Sequence, residues 1–249
     1  MLGAHSKNDL TGTEKYVKIK KTITHPKAYD FQKHKPYGHW VDDIVYYDYS
    51  LLLLEETIKY TAEIQPICLP TMGDQDYSKS LVFTSGWGYT KVYQDKMTGK
   101  SRTGMNSVTP KKVTLEVIDY KTCRDLYSLR GCKHCKQDTV LCTYGVNPFN
   151  KTVKEDACQG DSGGILDSSY LYFIQKIIFL SKLETLIFLL IHFYYKGPLF
   201  SMEENTATLI GVTSFGYECG GVQYSAFFAK VDHVLDWIDS TIQKYSTNI

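Results

Sequence analysis

The run Asp156-Ala157-Cys158-Gln159-Gly160-Asp161-Ser162-Gly163-Gly164 concentrates the residue types that nucleophilic catalysis needs. A serine hydroxyl attacks a carbonyl only when a base takes its proton and its neighbours hold it exposed. Flanking glycines permit a tight turn that aims successive backbone N–H groups at one point, where an oxyanion can form. The same composition also suits an ordinary Gly/Ser/Asp surface turn, because short motifs of this kind recur by chance. Elsewhere, Cys132 and Cys135 in Cys-Lys-His-Cys can pair locally or with each other, whereas a closed zinc site would need two more ligands. No metal and no organic cofactor is implied.

Short apolar segments separated by turn residues must position this run. Val17–Ile23, Leu51–Leu54, Leu81–Trp87 and Val113–Ile118 are bounded by Gly, Asp, Asn and Pro. That punctuation predicts an all-β barrel or sandwich. Val231, Val234, Leu235, Ile238 and Ile242 recur on one helical face, so the chain is expected to close with an α-helix. Residues 92–112 are polar and turn-rich, and read as an exposed loop.

The 249 residues suit one large or two small domains. A formal net charge of +1 excludes the broad basic footprint of a nucleic-acid-binding protein. Seven cysteines point to an oxidising compartment, and an odd number leaves at least one without a partner in the chain. Residues 1–9 nevertheless carry no apolar run behind a basic start, so they do not read as a secretory signal.

Residues 165–196 break the pattern. Twenty-four of these 32 residues are Ile, Leu, Phe, Tyr or Lys. The longest unbroken apolar run, Leu186–Ile191, is six residues, against the ~20 that a membrane helix needs. Lys176, Lys182 and Glu184 interrupt the rest, which argues against a membrane span.

With the nucleophile motif and these elements in view, the sequence resembles the trypsin-like, chymotrypsin-fold serine proteases. Asp48-Tyr49-Ser50-Leu51-Leu52-Leu53-Leu54 is similar to the family's Asp-Ile-Ala-Leu-Leu-x-Leu. Ile64-Gln65-Pro66-Ile67-Cys68-Leu69-Pro70, Ser85-Gly86-Trp87-Gly88, Leu141-Cys142, Thr213-Ser214-Phe215-Gly216 and Leu235-Asp236-Trp237-Ile238 follow in family order. The Ile-Cys-Leu-Pro form is most like the arthropod clip-domain proteases.

The resemblance implies two Greek-key β-barrels and a C-terminal helix, with the first barrel incomplete in residues 1–80 and the second formed by 81–249. It makes Ser162 the nucleophile, Asp48 the carboxylate that orients a histidine, and the N–H groups of Gly160 and Ser162 the oxyanion hole. Asp161 would pair with the new N-terminal amine of an activated zymogen. Asp156 would form the floor of the substrate pocket, beside Ser214, Gly216 and Ala226, and favour Arg or Lys in a protein or peptide substrate. Two departures bear on that preference: Ala226 and Glu218 stand where glycines are usual.

The histidine itself is not found. Leu2-Gly3-Ala4-His5 is similar to a segment that follows the family's Ala-Ala-His-Cys motif, and His5 and His25 match non-catalytic positions. His34, His39, His134, His192 and His233 have no family motif around them. The chain as it stands is expected to be inactive. Family pairing implies disulfides Cys123–Cys142 and Cys158–Cys219, and leaves Cys68 to tether an upstream regulatory segment in a secreted protein.

The family motif Gly-Asp-Ser-Gly-Gly-Pro-Leu is interrupted after Gly164 and resumes at Gly197-Pro198-Leu199. Removing residues 164–196, or equally 165–197, restores it, and the removed stretch is rich in residues whose codons can be almost all A and T. The expectation is a retained intron, with a genuine membrane-surface or partner-binding insertion as the alternative.

Overall fold

The computed structural model describes residues 1–28, 47–73, 75–87, 92–94, 101–103, 107–128, 139–145, 187–190, 198–216 and 226–246. Of these, 92–94, 101–103, 124, 126–128, 187–190 and 215–216 are described by their backbone.

Among the described residues, eleven strands form two main sheets and a two-stranded ribbon, accompanied by two α-helices. The first sheet joins β1 (Ile19–Thr24) and β2 (Ser50–Leu54) antiparallel, with Thr24 opposite Ser50 and Ile19 opposite Leu54. Its third strand, β8 (Ile187–Leu190), comes from the apolar stretch 165–196 and pairs with the other edge of β2.

All five residues of β2 are buried. Leu51 and Leu53 pack into one cluster with Leu209, Val212, Val231 and Ile238; Leu52 and Leu54 enter another with Leu2, Ile58 and Ile64. Burial on both faces explains why this segment is a continuous leucine run and not an alternating one.

The second sheet closes on itself. It contains β3 (Leu81–Gly86), β6 (Lys111–Ile118), β7 (Val140–Gly145), β9 (Pro198–Glu203), β10 (Thr206–Gly216) and β11 (Ala226–Lys230). The neighbour order is β3-β6-β7-β11-β10-β9 and back to β3. Three successive strands lie side by side and the fourth returns beside the first, which is the Greek-key connection. Val82, Leu115, Val117, Leu141, Leu199, Ile210, Ala226 and Phe228 fill the interior. Gly211 has no room for a side chain, since a Cβ there would lie 3.0 Å from the Phe228 Cβ and 3.3 Å from Leu199.

The chain closes as expected: a 3-10 turn at Asp232–Val234 leads into α2 (Leu235–Ser246). Val231, Val234, Leu235, Ile238 and Ile242 are all buried against the β2 side of the molecule. A helix that the apolar pattern did not announce, α1 (Tyr120–Ser128), follows β6 directly. Asp119 caps it, accepting 2.9 Å and 2.7 Å hydrogen bonds from the Thr122 N–H and hydroxyl. A disulfide from Cys123 to Cys142 ties this helix to β7. Residues 92–112 are not wholly loop: β4 (Val92–Gln94) pairs with β5 (Ser101–Thr103), and β6 begins at Lys111. The polar composition of a short two-stranded ribbon hid it.

Candidate active site

Asp48 stands at the junction of the two sheets. Tyr47 adopts a left-handed φ of 53°, and the Tyr49 N–H bonds to the Tyr47 carbonyl at 2.8 Å, so the chain turns sharply around Asp48 before entering β2. Two contacts fix the exit from this turn. The His25 N–H donates to the Tyr49 carbonyl at 2.9 Å, and the Tyr49 hydroxyl donates to the Lys230 carbonyl at 2.6 Å.

The Asp48 side chain is only 2% exposed. Its Oδ2 accepts a 2.8 Å hydrogen bond from Ser214 Oγ. Ser214 is the extra residue where the β10–β11 register shifts, between Thr213 opposite Phe228 and Phe215 opposite Phe227. A bulge of this kind re-aims one side chain out of the regular alternation. A buried carboxylate is costly unless hydrogen-bonded, and the serine supplies a charge-assisted bond of that sort. Held in this way, the carboxylate can orient and stabilise an imidazolium.

An aromatic cluster backs the turn. The His25 ring stacks on Tyr47 with centroids 4.6 Å apart, and meets Trp237 edge-on at 4.7 Å. The Lys27 N–H donates to His25 Nδ1 at 3.1 Å, which makes Nδ1 an acceptor and the ring neutral. Burial, with smaller contributions from Lys27 and His233, lowers the His25 pKa to about 4. The Tyr47 hydroxyl lies 3.2 Å from His233 Nε2. His25 is thus a packing residue that supports the Asp48 turn, and His5 is exposed. Sequence reasoning found Asp48 and Ser214 but not their bond, and it missed the support from Tyr47, Tyr49 and Trp237. The one available signal was the aromatic density around His25-Pro26 and Tyr46-Tyr47-Asp48-Tyr49.

Of the expected pocket residues, Gly216 and Ala226 face each other across β10 and β11, and Ala226 is buried in the barrel interior. Ser162, Gly160, Asp161, Asp156, Cys158, Cys219, Glu218, Cys132 and Cys135 lie outside the described residues, as do His34, His39, His134 and His192. Cys68 carries an exposed free thiol; its backbone is bound to β10 through 3.1 Å and 2.8 Å bonds with Ala207 and Leu209. A buried ion pair, Lys230 Nζ to Asp232 Oδ2 at 3.3 Å, sits between β11 and α2. Among the described residues no three His, Cys, Asp or Glu side chains are grouped to hold a metal, and no helix is long and apolar enough to cross a membrane.

Comparison with known proteins agrees with this fold. The family profile described as Trypsin matches residues 1–169 and 197–238. A venom serine protease, Bi-VSP, of Bombus ignitus is 24% identical over 215 residues, covering 85% of this chain and 46% of that protein. Phenoloxidase-activating factor 1 of Holotrichia diomphalia is 24% identical over 226 residues, covering 90% and 45%. Trypsin epsilon of Drosophila erecta is 27% identical over 197 residues, covering 79% and 55%. The chain spans about half the length of the curated relatives it matches.

Proposed function

This chain belongs to the trypsin family, and from that premise we propose that it is the protease portion of a secreted serine endopeptidase. Ser162 is the nucleophile, the N–H groups of Gly160 and Ser162 receive the oxyanion, and Asp48 orients the histidine base. The observation that carries this reading is Asp48 itself: a nearly inaccessible carboxylate, fixed by Ser214 at the seam between the sheets, in a chain that bears the intact Gly-Asp-Ser-Gly-Gly motif. Such a carboxylate has little value as a surface charge and much as the partner of an imidazolium.

In the first step the histidine takes the Ser162 proton as Oγ attacks the peptide carbonyl, then gives it to the leaving amine; water hydrolyses the acyl-enzyme in the second. Asp156, with Gly216 and Ala226 on the pocket wall, selects Arg or Lys. Ala226 adds a methyl group to that wall, a difference typically worth about 1–3 kcal/mol in discrimination. Asp161 receives the amine released by zymogen cleavage.

No histidine in residues 1–249 stands in the family's Ala-Ala-His-Cys-like setting. Residues 1–249 alone are therefore inactive. Cys68 tethers a preceding regulatory segment, consistent with its exposed thiol and with the greater length of the relatives. Residues 164–196 are a retained intron, consistent with the interruption of the family match over 170–196. A non-catalytic homologue that acts as a binding protein is the second reading; it is favoured only by the histidines, since His25 and His233 are both engaged with Tyr47.

Sequencing the full-length transcript tests these statements together. The expected message adds a secretion signal and an Ala-Ala-His-Cys-like motif upstream, and joins Gly164 to Pro198. A mature message that starts at Met1 and keeps codons 165–196 would leave the binding-protein reading.

A further inference from the structure

Two tyrosines flank Asp48, and one short segment on the barrel side of the molecule engages the hydroxyls of both. The Tyr49 hydroxyl donates to the Lys230 carbonyl at 2.6 Å, and the Tyr47 hydroxyl shares a 3.2 Å hydrogen bond with His233 Nε2. Lys230 ends β11, and His233 lies in the 3-10 turn that leads into α2. That segment is firmly placed. Val231 and Val234 are buried in the apolar cluster that also holds Leu51 and Leu53. The Lys230 N–H donates to the Thr139 carbonyl at 3.0 Å, and the Lys230–Asp232 ion pair braces the segment from within.

Tyr47 needs an anchor of this kind. A bulky residue at a φ of 53° occupies a sparsely populated backbone region, which persists only where the surroundings hold it. His25 stacks on the Tyr47 ring and the Lys27 ammonium lies 5.3 Å from the ring centroid, both from the residues that follow β1. Those contacts grip the faces of the ring and leave it free to slide in its own plane. A hydrogen bond at the phenol tip removes that freedom.

We propose that Tyr47 and His233 are positioning residues for Asp48. With Tyr49 and the Lys230 carbonyl they form a two-point clamp on either side of the carboxylate, so the junction of β11 with α2 sets the angle at which Asp48 meets its imidazole partner. Ser214 holds Oδ2 of the carboxylate itself, and a side chain bonded at one oxygen can still pivot about that bond. The clamp fixes the backbone from which Asp48 projects, and so removes the pivot. The effect on rate rests on the catalytic reading of Asp48; the geometry of the clamp does not.

Three variants of the complete, activated protein in which Gly164 is joined to Pro198 test this. Tyr47→Phe keeps the stacked ring, His233→Leu removes the ring nitrogen, and His233→Gln supplies an amide that can still bond the hydroxyl. Oriented catalytic groups lose rate steeply when misplaced, so Tyr47→Phe and His233→Leu should each lower kcat about tenfold with KM nearly unchanged. Combining them should cost no more than either alone, because both break the same bond. His233→Gln should retain most of kcat. Unchanged kcat in both single variants, or losses that multiply in the double variant, would overturn the proposal. A second readout needs no turnover. The Asp48 carboxyl carbon resonance of the same proteins should move alike in Tyr47→Phe and His233→Leu, and lie near the parent position in His233→Gln. A resonance that stays in place in all three would refute the clamp even where kcat falls. A resonance that moves as expected in a protein without activity would support the clamp and refute the catalytic reading instead.

Discussion

Ser214 Oγ lies 2.8 Å from Asp48 Oδ2, and this single hydrogen bond joins a bulge in the closed barrel to the turn that opens the leucine strand of the other sheet. The two residues are far apart in sequence, one in a strand of the barrel and the other in the turn that leads into the first sheet. Their bond makes the position of the carboxylate a property of the whole molecule and not of a local loop.

Ser214→Ala removes the donor and leaves a buried carboxylate with less compensation. Hydrogen bonds to charged groups contribute about 1.5–3 kcal/mol. Urea denaturation of the variant should show a loss in that range, with the slope unchanged. A loss below about 0.5 kcal/mol would mean that the bond does not hold Asp48 in place.

The Lys230–Asp232 pair is almost inaccessible, with side chains 4% and 2% exposed. Removing one partner strands the other charge, a change that typically costs about 3–5 kcal/mol. Lys230→Met alone should destabilise by about that much, and Lys230→Met with Asp232→Leu should recover most of it. Additive losses in the denaturation midpoints would contradict the pairing.

His25 gives the fold a predictable response to acid. Its pKa falls from the usual 6.5 to about 4, chiefly because burial disfavours the imidazolium. The unfolded chain therefore binds the proton first, and the stabilising contribution is complete above pH 6.5. It is lost progressively as the pH falls from 6.5 toward 4, where protonation of Nδ1 also removes the acceptor for the Lys27 N–H. Denaturation midpoints of the parent and of His25→Phe, compared between pH 7.5 and 4.5, should fall more steeply for the parent. Parallel curves would show that His25 titrates normally in the fold.

Gly211 is a second packing constraint. Gly211→Ala places a methyl group 3.0 Å from the Phe228 Cβ and 3.3 Å from Leu199. Overpacking of this order costs about 1–3 kcal/mol. A thermal midpoint equal to that of the parent would mean that β9 and β11 can separate to admit it.

Much of this architecture was legible from local patterns. The alternation Val113, Leu115, Val117 placed β6, and the 3.6-residue spacing from Val231 to Ile242 placed the terminal helix with its buried face. Leu51–Leu54, one of the short apolar segments, is a strand, and burial on both faces accounts for its unbroken leucines. What the chain does not announce is long-range pairing. Nothing in Ile187–Leu190 indicates that it lies beside Ser50–Leu54, because a short apolar run carries no signature of its pairing partner. The Ser214–Asp48 bond depends on a bulge, and a bulge is a property of two strands together. The helix at Tyr120–Ser128 escaped because its terminus is set by a cap at Asp119 and its anchor by a disulfide, not by an apolar stripe.

The most direct test of the account is active-site labelling of the complete, activated protein in which Gly164 is joined to Pro198. A fluorophosphonate reacts only with a serine whose proton is taken by a base and whose oxyanion is held. The account predicts a single adduct, located at Ser162 by mass spectrometry and abolished by Asp48→Ala in the same folded protein. A folded, correctly cleaved protein that takes no label at Ser162 would contradict it.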